Sequence, residues 1–266
     1  MSNKTYPDVW NRYNARERLV RWLWLAGAAF AAAWSVSELN IEWAFFGDAH
    51  EQAMDLVTRM WPPSWAYLPK IVQPLIETIH IATLGTMISI IFALPVAFLA
   101  ARNTSLNATT WLIGRGILVL SRSINTVIWG LLFVAIFGPG PLAGIFAVAA
   151  RSVGFIAKLI AEAIEEVDHG QVEAIESTGA GTMQIYATAI MPQILPVLIG
   201  TSIYRWDINV RESSVLGFVG AGGIGLQLYA SINGFAWSQV LVILIAILGI
   251  VIISEWISAY VRSRIS

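Results

Sequence analysis

Long apolar runs alternate with short polar connectors along this chain. Crossing roughly 30 Å of hydrocarbon takes about 20 apolar residues in a helix. The first run, "WLWLAGAAFAAAWSVS" from Trp22 to Ser37, is short but studded with Trp. The second extends from Leu75 to Ala101 and is uncharged from Thr78 onward. Ser123 to Ala150 carries no charge either, is too long for one crossing, and is interrupted by "GPGP" at Gly138–Pro141. Prolines remove backbone donors and clash with the preceding turn. The pattern therefore predicts two helices here, Gly116–Phe137 and Leu142–Ile160, joined by a tight turn. A fifth starts near Pro192–Pro196 and runs to Val219, and a sixth covers Ser238–Ser254 and continues to Tyr260. The expectation is an all-α, polytopic membrane protein with about six transmembrane helices.

The connectors carry their own patterns. Between the first two spans, Asp48–Lys70 mixes polar residues with Met54, Leu56, Val57, Met60 and Trp61. That is an amphipathic segment, lying along the outer membrane surface or forming an ordinary surface helix. Between the fourth and fifth spans, Ala161–Glu176 holds six acids and no Lys or Arg. Its apolar positions Ile164, Val167, Val172 and Ile175 recur at helical spacing, predicting short amphipathic helices in a polar loop. Such helices suit docking to a partner. Nothing there shields the carboxylates from water, so acid–base catalysis is not expected.

Basic residues near the helix ends set the orientation. Lys4, Arg12, Arg16, Arg18, Arg21, Arg102, Arg115, Lys158, Arg262 and Arg264 all fall on one side if both termini are cytoplasmic. The other side carries few, chiefly Arg59 and Lys70. The small residues of the first run would suit a signal peptidase, but the charged stretch ahead is long and includes Asp8 and Glu17, so we read it as a span.

Composition narrows the function classes. The chain of 266 residues is 57% hydrophobic and 12% charged, against about 25% charged in soluble domains. Its mean hydropathy is +0.67. A net charge of -1 leaves no basic face for nucleic acid. The absence of Cys removes disulfides, thiolate catalysis and cysteine metal sites. Three His scattered at positions 50, 80 and 169 form no metal cluster, so no cofactor or metal is expected. His80, alone on an apolar turn, suits a helix–helix hydrogen bond better than a ligand or proton relay.

Candidate chemistry concentrates in "RWDINVRE", Arg205–Glu212, inside the fifth predicted span. Asp207 and Arg211 are i, i+4 partners. Arg205, Asn209 and Glu212 fall at i, i+4, i+7 and make a second polar face. A charge at the bilayer centre costs at least about 2.5–3.5 kcal/mol, so these groups must face protein or a polar cavity. They mark a pathway for a polar or anionic solute, or an ion-pair network fixing helix packing; the two are compatible. Arg122, at the start of the third predicted helix, either snorkels to the cytoplasmic surface or contacts solute.

Just downstream, "GFVGAGGIG" places Gly217, Gly220, Gly222, Gly223 and Gly225 within nine residues and contains a G-x-G-x-x-G. A dinucleotide fingerprint needs a preceding strand and an acid about 20 residues on. Here a membrane helix precedes, and Ser213–Ser254 holds no acid. The run is a poor helix, read as a bend or re-entrant turn beside a pathway, or as a closely packed outer loop.

Several stretches resemble a known family. "EAIESTG" followed by "IMP" is similar to the loop signature of ABC importer permeases: Glu173, Ala174, Gly179 and Pro192 match, while Ile175, Ala189 and Met191 depart from it. "ETIHIATLGT…ALPVAFLAARN" (Glu77–Asn103), "RSINTVIWGLLFV" (Arg122–Val134) and "RWDINVRESSVLGFVGAGGIG" (Arg205–Gly225) resemble the phosphonate ABC-transporter permeases. The likeness spans Ile76 to the C-terminus. It implies a type I, methionine-importer-like permease fold and a multi-pass protein of the bacterial inner membrane. Residues 1–74 would form an N-terminal segment and residues 75–266 the permease core, with a coupling loop at 161–192. It also implies two ABC ATPase subunits, an extracytoplasmic binding protein and a second permease copy, identical or similar. Glu173, Ala174, Gly179 and Pro192 would serve ATPase coupling, and the glycine run a hinge or outer gate. The chain itself has no G-x-x-x-x-G-K-[ST], so it lacks a phosphate loop of its own.

Overall fold

The computed structural model describes residues 15–39 and 41–264, and all regular elements among them are helical. Lys4 and Arg12, counted above for orientation, lie outside the described residues. The chain divides into two compact units at Leu56 and Val57.

The first unit holds α1, Ala15–Glu38, and most of α2, Ala44–Met60, whose last four residues fall past Leu56. The apolar part of α1 matches the predicted first crossing, and its most apolar window is wholly exposed.

The second unit carries the bundle. A 3₁₀ turn at Trp65–Tyr67 leads into α3, Leu68–Ala100. This helix starts earlier than the apolar run predicts, because a proline in its first turn fills a position whose N–H has no helical partner.

The predicted third helix, Gly116–Phe137, is instead a bent pair. It comprises α4, Ala108–Ser123, and α5, Thr126–Phe137, at 95° to one another. Side chains explain the break. Asn107 and Thr110 form a reciprocal cap that starts α4 upstream of the predicted residue. Ile124 then turns extended, and the Asn125 side chain accepts from Val127 N at 3.0 Å, restarting the helix.

Next come α6, Pro141–Glu165, and α7, His169–Glu176, which Asp168 caps by accepting from Gly170 N at 2.9 Å. A short α8, Thr182–Ile185, widens into a π turn at Tyr186–Ile190 and continues as α9, Met191–Leu216. The wide turn sits immediately ahead of Pro192, which has no N–H to give. After the glycine run come α10, Ile224–Asn233, and α11, Trp237–Arg262. Among the described residues, five helices are long and apolar enough to cross a membrane, and the bent pair makes a sixth if it counts as one span.

The core sits where α3, α6 and α9 meet. Ala93, Ala97, Ile156, Ile160, Ile164 and Ile194 form one buried cluster there. A second joins Ile71 of α3 to Ile224 of α10 and Val240 and Ile243 of α11. A third packs Ile81, Ala147 and Val148 against Leu216 and Ala221. These clusters fix α9 among its neighbours, and α9 carries the charges.

Candidate functional site

Arg205 lies 14 residues into α9, about 21 Å along it at 1.5 Å per residue. Its side chain is 3% exposed. Nε donates to Ser152 Oγ of α6 at 2.9 Å and Nη2 to Glu212 Oε2 at 3.1 Å. The guanidinium carbon sits 5.4 Å from the Phe155 ring centroid, a cation–π arrangement. Ser152 Oγ donates to Asn209 Oδ1 at 3.1 Å, and Asn209 Nδ2 donates to Thr86 Oγ1 of α3 at 2.8 Å. Thus the i, i+4, i+7 face read from the sequence forms one connected network, and it ties α9 to α3 and α6.

Glu212 extends that network to α5 and to a second arginine. Thr126 Oγ1 donates to Glu212 Oε2, and Arg151 Nη1 of α6 donates to Thr126 Oγ1 at 3.3 Å. Arg151 Nε lies 3.8 Å from Glu212 Oε1. Two arginines therefore share one carboxylate, an excess of positive charge at its exposed edge. Arg151 is 30% and Glu212 21% exposed, so this edge reaches open space while Arg205 does not.

Asp207 and Arg211 pair along α9 as their spacing predicts. The Asp207 carboxylate is buried and also accepts from Ser254 Oγ of α11 at 2.7 Å. Arg211 is 47% exposed. The two polar faces of α9 thus serve different neighbours: one binds α3, α5 and α6, the other α11.

Arg122 does not join this cluster. It ends α4, exposed, beside Arg115 and Lys158. His80 is likewise exposed on α3. The sequence patterns do not single out Arg151, Ser152, Thr86, Thr126 or Ser254. Arg151 carried a usable signal, since it is a charge within a predicted span. The hydroxyls carried none.

The glycine run is a tightly fastened corner. Gly217 opens a 3₁₀ turn through Val219, and Gly220, Gly222 and Gly223 adopt φ of 82°, 83° and 76°. Gly217 and Gly225 face each other so closely that a Cβ on Gly217 would lie 2.2 Å from Leu226 N. One on Gly225 would lie 2.4 Å from Ser214 O. Two side chains of α3 cap the start of α10: Gly223 N donates to Glu77 Oε1 and Ile224 N to Thr78 Oγ1, each at 2.8 Å. Gly140 N, ahead of α6, donates to Gly220 O at 2.9 Å. No strand precedes the run among the described residues, and the amides of Gly220, Ala221, Gly223 and Ile224 are already taken by protein oxygens, which argues against a nucleotide loop.

In the polar loop, Glu173 and Ala174 lie exposed on α7, and Gly179, at φ 79°, reverses the chain beyond its end with no atom within 4 Å of a Cβ. Pro192 is exposed in the first turn of α9. Tyr186 OH donates to Thr104 O at 3.0 Å, and Asp168 N donates to Gln193 Oε1 at 2.9 Å, so the loop is tied to the bundle at both ends.

Residues 93–266 match the family model described as the binding-protein-dependent transport system inner membrane component. The phosphite transport system permease protein PtxC of Stutzerimonas stutzeri is 37% identical over 238 residues, 90% of this chain and 86% of that protein. The phosphate-import permease protein PhnE of Mycolicibacterium smegmatis is 38% identical over 214 residues, 80% of this chain and 40% of that protein. Among solved structures, an inward-facing MetNI methionine ABC transporter aligns with a TM-score of 0.65 at 24% identity, covering 76% of this chain and 99% of the other. At that identity the likeness concerns the fold.

Proposed function

Since the chain belongs to the binding-protein-dependent transport system inner membrane component family, we propose that it is the membrane-spanning permease subunit of an ATP-driven importer of a phosphorus oxyanion: phosphite, phosphonate or phosphate. One observation carries this reading, the 37% identity across 90% of the chain with a phosphite permease. The charge on α9 and α6 agrees with an anionic cargo. Arg151 and Arg211 offer exposed positive potential, while Arg205 holds Glu212 from the buried side. A transit site must attract its cargo without retaining it, and Glu212 and Asp207 temper the arginines.

Two ATPase subunits supply the energy, an extracytoplasmic binding protein delivers the solute, and a second permease copy completes the pathway. Both termini and the α7 loop face the cytoplasm. Closure of the ATPases pushes on Glu173, Ala174 and the Gly179 turn. The π turn ahead of Pro192 links that loop directly to α9, so the push tilts the helix that bears the charges. The Gly217–Gly225 corner forms the outer gate. Its backbone contacts and its Glu77 and Thr78 anchors favour movement as a rigid corner over hinging within the run.

The test is uptake of labelled phosphite, phosphate and methylphosphonate by proteoliposomes holding the assembled complex, with methionine as control solute. Saturable, ATP-dependent uptake of a phosphorus anion is expected. Uptake of methionine with none of the three anions overturns the reading.

A further inference from the structure

A second basic site lies apart from the α9 network. Arg115, Leu118, Val119, Arg122 and Ser123 of α4 and Lys158 of α6 line a cavity of about 370 Å³. Arg115 and Arg122 are seven residues apart, two helical turns, and so share one face. Close packing sets the third cation. Gly154 N of α6 donates to Ser121 Oγ at 2.9 Å, and a Cβ on Gly154 would lie 3.0 Å from Arg122 Cγ. The Arg122 stem therefore rests on α6 at Gly154, and Lys158 lies one turn further along, below it.

The charge balance of this cavity is uneven. Arg115 is bridged to Glu165 at 2.9 Å and Lys158 to Glu162 at 3.4 Å. Arg122 is exposed and has no acidic partner among the described residues. Neither carboxylate lines the cavity, whereas all three cations do. The Trp111 ring, one turn before Arg115, lies 5.5 Å from the Arg102 guanidinium carbon and 5.6 Å from that of Arg115. It is an aromatic of the kind that sits at headgroup depth.

We infer that this cavity binds a phosphoryl oxyanion, with Arg122 as the principal ligand and Lys158 and Arg115 in support. A guanidinium fork matches two oxygens of a phosphate, and lysine adds a point charge. Leu118 and Val119 add an apolar surface beside the cations, which suits the acyl-bearing end of a phospholipid, while a free ion would use the cations alone. The site stands apart from the transport reading, since either source satisfies it.

The full-length protein in phosphatidylcholine nanodiscs is tested with two probes: labelled orthophosphate by equilibrium binding and phosphatidylglycerol by native mass spectrometry. Arg122→Gln and Lys158→Gln should each weaken at least one probe, the arginine change by about tenfold, as expected for one charge-assisted hydrogen bond. Arg122→Lys should keep most of the binding, and Arg264→Gln, a charge loss outside the cavity lining, should keep all of it. Loss of orthophosphate alone assigns a free anion; loss of phosphatidylglycerol alone assigns a headgroup. The inference is overturned if the wild type binds neither probe, or if both glutamine variants bind as the wild type does. Should Arg122→Gln fail to fold, Lys158→Gln carries the test.

Discussion

Arg205 and Glu212 stand two turns apart on α9, joined at 3.1 Å, yet one is 3% and the other 21% exposed. Their loss should therefore be unequal. Glu212→Ala strands a buried guanidinium, which costs about 3–5 kcal/mol when a buried pair is broken from one side. Arg205→Met fills the volume and leaves Glu212 with Thr126, Arg151 and access to water, a loss of about 1 kcal/mol. Thermal unfolding in detergent should rank Glu212→Ala well below Arg205→Met, and the double variant should recover stability over Glu212→Ala alone. Equal losses would show that burial does not govern the pair.

The corner after α9 makes a second ordering. Alanine at Gly217 or Gly225 drives a Cβ into backbone at 2.2 Å and 2.4 Å, and backbone cannot rotate away. Each should cost at least about 3 kcal/mol, the upper range for overpacking. Gly220 has φ 82° but its nearest neighbour lies at 3.7 Å, so alanine there meets only the left-handed penalty of about 1–2 kcal/mol. Yield of monodisperse protein and melting temperature should fall for Gly217→Ala and Gly225→Ala and much less for Gly220→Ala. The reverse order would show that backbone conformation, and not the close approach, demands glycine.

What the sequence made legible follows from range. The spans follow from apolar run length, and the pairing on α9 follows from helical spacing, because both are local. The break at Ile124–Asn125 was masked by the apolar runs on either side of it, although the Asn125 cap is a local signal; the bond from Thr126 to Glu212, 86 residues away, carried no such signal. Arg151 became part of the site through the same carboxylate. Glu77 stood in a motif with no assigned task, and its partner amide lies 146 residues on. Contacts of that reach leave no period to read.

Glu77 and Thr78 together cap α10 through two 2.8 Å bonds. Removing a cap costs about 0.5–2 kcal/mol. Glu77→Ala and Thr78→Val should each speed amide exchange across the first turn of α10, while Glu77→Gln, which keeps an acceptor oxygen, should do so less. Exchange followed by mass spectrometry separates these outcomes. Unchanged protection in Glu77→Ala would mean that packing alone holds the corner.

Gly179 and Gly181 provide an internal control for the coupling role proposed for the loop between α7 and α9. Both have open space where a Cβ would stand, but Gly179 has φ 79° and Gly181 φ −73°. Alanine at Gly179 carries a left-handed penalty of about 1–2 kcal/mol and so tilts the segment between α7 and α8; at Gly181 it carries none. Since the loop is exposed, neither change should lower the melting temperature of the bundle appreciably. In the assembled complex, Gly179→Ala should reduce solute transported per ATP hydrolysed severalfold, and Gly181→Ala should leave the ratio unchanged. If both variants couple normally, the turn at Gly179 does not transmit the ATPase stroke; if both fail, contact with the partner and not backbone shape is what the loop supplies.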